Sequence, residues 1–283
     1  MRGKGVQRRS VLCARQRPGP SGRGFTLVEL LVVIAITGLL ISILVPALSK
    51  SRANAKLTVC RSHLSQLGLA IIIYADQHRE LIPRGPACTG PFDFVCADFA
   101  TNQLWIGAEN EQHPSQPIGL GVLTKSHISN TEVYFCPADD TNNAEEELPR
   151  IGSELDAYGS YTYRQLDQLP TDRRRGKLSN LGANVVDEVR VPVEALALDT
   201  NSLGPGPFRH TNHKAKKVNV LYRDRAVQTF INDEGTFSIP AETFKEPAKI
   251  FTRLDQIFVN ADYGYRQNPK DAPQIREVSE PGR

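Results

Sequence analysis

The sequence predicts an α+β protein: a long N-terminal α-helix, membrane-spanning in its first half, packed on a C-terminal, loop-rich domain with an antiparallel sheet. Three observations lead there. Phe25 to Val45 is a nearly unbroken apolar run of 21 residues. Helical periodicity resumes directly after it. Beyond residue 80, short β-type runs alternate with scattered Gly and Pro.

The chain opens on a basic arm. Residues 1–24 carry seven basic side chains (Arg2, Lys4, Arg8, Arg9, Arg15, Arg17, Arg23) and no acid. The overall net charge of +3 therefore hides a split, because the rest of the chain holds 27 basic against 31 acidic residues, a net of −4. Nucleic-acid binding needs basic residues clustered on a folded domain, and here the excess sits on the arm, so that class is set aside. A hydrophobic content of 40% excludes wholesale disorder.

The apolar run FTLVELLVVIAITGLLISILV follows. About 20 apolar residues in a helix cross a hydrocarbon core of roughly 30 Å. A strongly basic flank before the run, unmatched after it, keeps the N-terminus in the cytoplasm and places the remainder outside. One residue breaks the pattern. Glu29 is a carboxylate at the fifth position of the run, where hydrocarbon disfavours charge. As a plain anchor feature it would snorkel to the helix end. Alternatively, a cut between Gly24 and Phe25 would create an amine four residues before it, on the same helical face. A buried amine and carboxylate must pair, within a subunit or between neighbours.

Gly24-Phe25-Thr26-Leu27-Val28-Glu29-Leu30 resembles the processing and methylation motif of type IV pilins and type II secretion pseudopilins. The resemblance extends from Gly24 to about Pro46. It implies that a membrane aspartyl prepilin peptidase cuts after Gly24 and methylates the new Phe25 nitrogen. It also implies that Glu29 serves assembly with copies of the chain or other pilin-like subunits. The 24-residue leader is at the long end for that family. A rival cut after Ala47, by an ordinary signal peptidase reading Val45-Pro46-Ala47, would release a secreted protein. The length of the run and its internal acid weigh against it.

Pro46 removes a backbone donor and should kink the helix without ending it. Leu57, Cys60, Leu64, Leu67, Ile71 and Tyr74 then recur at spacings of 3 and 4, one apolar stripe. The expected helix covers 25–78, its first part (25–45) in lipid and its second packed on a domain. That extracytoplasmic domain is expected over 79–266, with a flexible polar tail at 267–283.

Within the domain, Val133–Phe135, Tyr158–Tyr163, Val193–Leu198, Val218–Tyr222 and Val227–Ile231 read as strands, and no second long helix signal of similar quality stands out. Cys60, Leu64 and Leu67 ahead of Tyr74-Ala75-Asp76, the Phe135-Cys136-Pro137-Ala138-Asp139 string and the stretch from Arg209 to Val227 resemble a group of large-domain, pilin-like proteins. Their C-terminal region carries His, nine residues, then Asp-Gly. Here ten residues separate His213 from Asp224, and Arg225 stands where glycine is expected, straining a two-residue turn that needs positive φ.

Cys13 lies in the leader. Of the other four cysteines, Cys88 and Cys96 bracket a turn-forming Thr-Gly-Pro and are the disulfide candidates. Cys60 and Cys136 either pair or serve as small buried apolar groups. No C-x-x-C occurs, so zinc is not expected and no metal ligand is assigned. His210 and His213 read as a polar loop ahead of a strand. Asp139, Asp140, Asn142, Asn143 and Glu145–Glu147 read as a solvated acidic loop. Their hard oxygens leave calcium as the one cofactor open to consideration.

No catalytic motif is present, and no enzyme is expected. The reading is a structural subunit of a type IV pilus or type II secretion pseudopilus, processed after Gly24 and held in the bacterial inner membrane before assembly. A single-pass anchored binding module that never polymerises is the other reading, beside the secreted protein cut after Ala47.

Overall fold

The structure is a computed structural model that describes residues 25–85, 100–107, 115–165, 177–199, 201–205 and 209–275. The chain divides into two units, residues 1–50 and 51–283. Helix α1 (Leu27–Gln77) begins in the first and ends in the second.

In the first unit the helix lies bare. Its large apolar side chains from Phe25 to Leu48 are between 46% and 78% exposed. Such a surface demands lipid or a partner. α1 is also long and apolar enough to cross a membrane. The two hydroxyls inside the run bond back to helix carbonyls, Thr37 to Ile34 at 3.1 Å and Ser42 to Leu39 at 2.7 Å, so neither needs water. Pro46 sits inside the helix, which continues past it.

In the second unit the stripe foreseen on α1 is the buried face: Cys60, Leu64, Leu67 and Ile71 are each 0% exposed. The strands are β1 (Ala100–Ile106), β2 (Gln116–Pro117), β3 (Ala157–Arg164), β4 (Ala183–Val186), β5 (Val189–Pro192), β6 (Ala195–Leu198), β7 (Asn201–Leu203), β8 (Arg209–His210), β9 (Lys217–Tyr222), β10 (Val227–Ile231) and β11 (Ser238–Ile239). An antiparallel six-stranded sheet runs β10-β9-β6-β3-β1-β2. A small sheet, β11-β7-β8, and the hairpin β4-β5 flank it.

Alternation along β9 shows how the sheet is covered. Leu221 packs in one cluster with Leu64, Leu67 and Ile71 of α1. Val218, Val220 and Tyr222 pack in another with Ile257, Phe258 and Ala261. Those last three belong to α3 (Pro247–Gly264), an 18-residue helix on the opposite face. α2 (Ala144–Glu147) is a single turn. At Gly68 of α1 an added Cβ would come within 2.8 Å of Leu221 Cδ1, so glycine permits this close helix–sheet contact.

α3 is tied down by one carboxylate. Asp262 accepts from Arg164 Nη1 at 2.7 Å, from Asn184 Nδ2 at 3.2 Å, and from the backbone N–H groups of Glu194 and Ala195, both at 2.8 Å. Arg164 also lies over the Phe258 ring, 5.0 Å from its centroid.

The structure corrects four expectations. Val133–Phe135 is not a strand: Thr131–Tyr134 forms a 3-10 turn, whose start is capped by the Asn130 side chain accepting from Glu132 N. The domain holds a second long helix, α3. The tail does not begin at 267, since Ala272 is 5% exposed and Ile275 N donates to Gln256 Oε1 at 2.5 Å. The β9–β10 loop has three residues, not two. Arg225 N donates to Tyr222 O and Tyr222 N donates to Ala226 O, each at 2.9 Å, with Arg225 left-handed at φ 69°.

Candidate functional site

Leu27 opens α1, which makes Thr26 the residue before the first helical position and Glu29 the third inside it. The two bond reciprocally. Glu29 N donates to Thr26 Oγ1 at 3.2 Å, while Thr26 N and Thr26 Oγ1 donate to Glu29 Oε2 at 2.8 and 2.7 Å. This is a capping box, and it satisfies N–H groups that the first turn would otherwise leave unpaired. Carboxylate at this end also opposes the helix dipole.

Phe25 is not helical and its side chain is 73% exposed. Gly24 lies outside the described residues. The box starts the helix at Leu27, which leaves Phe25 ahead of it. The expected partner of Glu29 was the Phe25 amine, four residues away. In the uncut chain the carboxylate rests on Thr26, which the sequence reading passed over although Thr-x-x-Glu is itself a capping signature. Both bonds fall on Oε2, so among the described residues Oε1 accepts none. Val45-Pro46-Ala47, the alternative cut, stands within α1.

The remaining residues singled out from the sequence divide into three groups. Cys88 and Cys96 lie outside the described residues, as does Cys13. The acidic loop is tied to its own domain. Asp139 accepts from Thr141 N at 2.9 Å, Asn142 N at 3.1 Å and Ser160 Oγ at 2.5 Å, and it faces His210 Nδ1 at 3.2 Å. Asp140 accepts from Thr211 N and Oγ1, both at 2.6 Å. Glu147 accepts from Tyr158 N at 2.7 Å and Arg150 Nη1 at 3.0 Å. The carboxylates of Asp139, Asp140 and Glu147 are therefore engaged by protein donors.

Cys60, Cys136 and His213 converge in the interior with Asp199, which the sequence reading had not singled out. Burial pushes the Cys60 thiol well up. The hydrogen bond from Cys60, helped by His213, holds Cys136 at about 7 against burial. Burial opposes the charge on His213, but Asp199 and Cys136 raise it to about 9.

Residues 21–45 match the family described as the prokaryotic N-terminal methylation motif. The match spans the foreseen cleavage bond, the capping pair and the apolar run. The N-terminus is thus similar to that of pilins and pseudopilins, with a prepilin-type methylation motif on a helix long and apolar enough to cross a membrane. No curated protein and no solved structure matches the chain.

Proposed function

We propose that the chain is a structural subunit, not an enzyme, of a type IV pilus or type II secretion pseudopilus. A prepilin peptidase cuts after Gly24 and methylates Phe25. The helix holds the subunit in the cytoplasmic membrane with its N-terminus inside, and the domain from Ser51 onward faces outward. Subunits then leave the bilayer by packing their α1 helices together.

One observation carries this reading: a fully bare apolar helix whose start is fixed by Thr26 and Glu29 directly after the methylation-motif junction. Lipid covers such a helix in the membrane, and neighbouring helices cover it in a filament. Glu29 then meets the new Phe25 amine of its own or an adjacent subunit, and that charge pair fixes the stagger between helices.

The test is to shear cells, collect filaments and probe them for this chain. Its presence there supports a filament subunit. Its retention in the membrane, correctly cut, would instead favour the anchored binding module.

A further inference from the structure

Cys60, Cys136, Asp199 and His213 meet inside the domain. They come from α1, the loop after the 131–134 turn, the residue following β6 and the turn before β9, and Cys60 and Asp199 are 139 positions apart. One donor atom from each lies within 4.8 Å of every other. Three separations are defined more closely: His213 Nε2 to Asp199 Oδ2 is 3.3 Å, Cys136 Sγ to His213 Nε2 is 3.4 Å, and Cys60 Sγ to Asp199 Oδ2 is 3.4 Å. Ligands held 2.0–2.3 Å from a common tetrahedral centre stand about 3.3–3.8 Å apart, so these three separations match edges of a zinc-sized tetrahedron.

We propose that these four side chains form a buried structural site for a zinc-class divalent cation. Two thiolates with one imidazole select zinc over calcium or magnesium, which want oxygen. All four positions are filled by protein, which leaves no open place for substrate and marks the site as structural. Zinc entry displaces the protons of the two thiols and the imidazolium proton of His213, so that two thiolates, one carboxylate and a neutral imidazole bind the ion.

The surroundings are those of a supported metal site. Asn219 donates to Asp199 through both its backbone N–H and, at 2.8 Å, its amide, and Thr229 Oγ1 fixes that amide at 2.6 Å. Tyr161 Oη lies 3.3 Å from Cys60 Sγ. The backbone is bent to deliver His213. His213, Lys214 and Ala215 are left-handed in succession, at φ 50°, 57° and 56°, a conformation unfavourable for each of them. Two thiolates, one carboxylate and Zn²⁺ leave one negative charge. Beside the cluster, Lys56, Lys214, Lys216 and Lys217 line a pocket of about 260 Å³ that His213 also borders, which places compensating positive charge near it.

The cation would staple the outer part of α1 to three segments of the domain. The test is zinc content of the full chain purified in detergent, by plasma mass spectrometry. About one zinc per chain is expected, with Cys60→Ser and His213→Gln each weakening zinc affinity about a hundredfold or more. Should those variants not fold, wild type alone decides. Chelation should lower its melting temperature by about 10 °C, zinc should restore it, and cobalt should give the absorption of a tetrahedral thiolate complex. A metal-free wild-type chain under zinc-replete conditions would overturn the proposal, as would a Cys60–Cys136 disulfide found by non-reducing peptide mapping.

Discussion

Thr26 and Glu29 hold each other at the start of α1, with the Thr26 N–H and hydroxyl both on a single carboxylate oxygen at 2.8 and 2.7 Å. The other oxygen is left to meet an amine, so capping and charge pairing do not compete. On the proposed reading, Glu29 would serve the uncut chain through one oxygen and the assembled subunit through the other.

Two substitutions separate those duties. Glu29→Gln keeps an oxygen acceptor for Thr26 but loses the charge, whereas Glu29→Ala loses both. We expect both variants to insert in the membrane and both to fall by roughly tenfold or more in the sheared-filament fraction on immunoblots. Filament levels of Glu29→Gln equal to wild type would show that the cap, and not the charge, is what assembly needs.

Arg225 occupies the left-handed position of the three-residue β9–β10 loop, where a side chain costs about 1–2 kcal/mol that glycine avoids in part. Arg225→Gly should raise stability by about 0.5–1 kcal/mol, read as a small increase in melting temperature.

Asp262 is 4% exposed and is the carboxylate partner of Arg164 at 2.7 Å. Removing it strands that guanidinium and the N–H groups of Glu194 and Ala195. Asp262→Ala should destabilise the domain by about 3–5 kcal/mol in denaturant titration. A loss below about 1 kcal/mol would mean that α3 is held by its apolar face alone.

His210 sets a pH dependence. Burial opposes its charge, but Asp139 at 3.2 Å and Asp140 outweigh burial and raise its pKa above 6.5. A raised folded value means that the stability it contributes is whole below pH 6.5 and is lost as pH rises through that higher value. Melting temperatures from about pH 6 to 8.5 should fall more steeply for wild type than for His210→Gln.

What could be read from the sequence was local. The methylation motif, the apolar run and the 3–4 stripe from Leu57 to Tyr74 each lie within one short window, and four of the five expected strands formed. α3 was hidden because Gln256, Asn260 and Asp262 are buried on it alongside Ile257, Phe258 and Ala261, which breaks the apolar stripe. The β4–β5 hairpin turns on Asp187 and Glu188, both at positive φ, without the glycine that announces such a turn. Val133–Phe135 has strand-like composition, but the Asn130 cap pulls it into a 3-10 turn. The Cys60–Cys136–Asp199–His213 cluster has no local sequence signature, because tertiary folding and not a short motif sets the spacing of its side chains.

Processing after Gly24 sets where the proposed mature polypeptide begins. Intact and N-terminal peptide mass spectrometry of the membrane-extracted protein should find Phe25 first, bearing a methylated nitrogen, in a chain about 2.5 kDa lighter than the full sequence. A mature chain starting at Met1 or at Leu48 would contradict it.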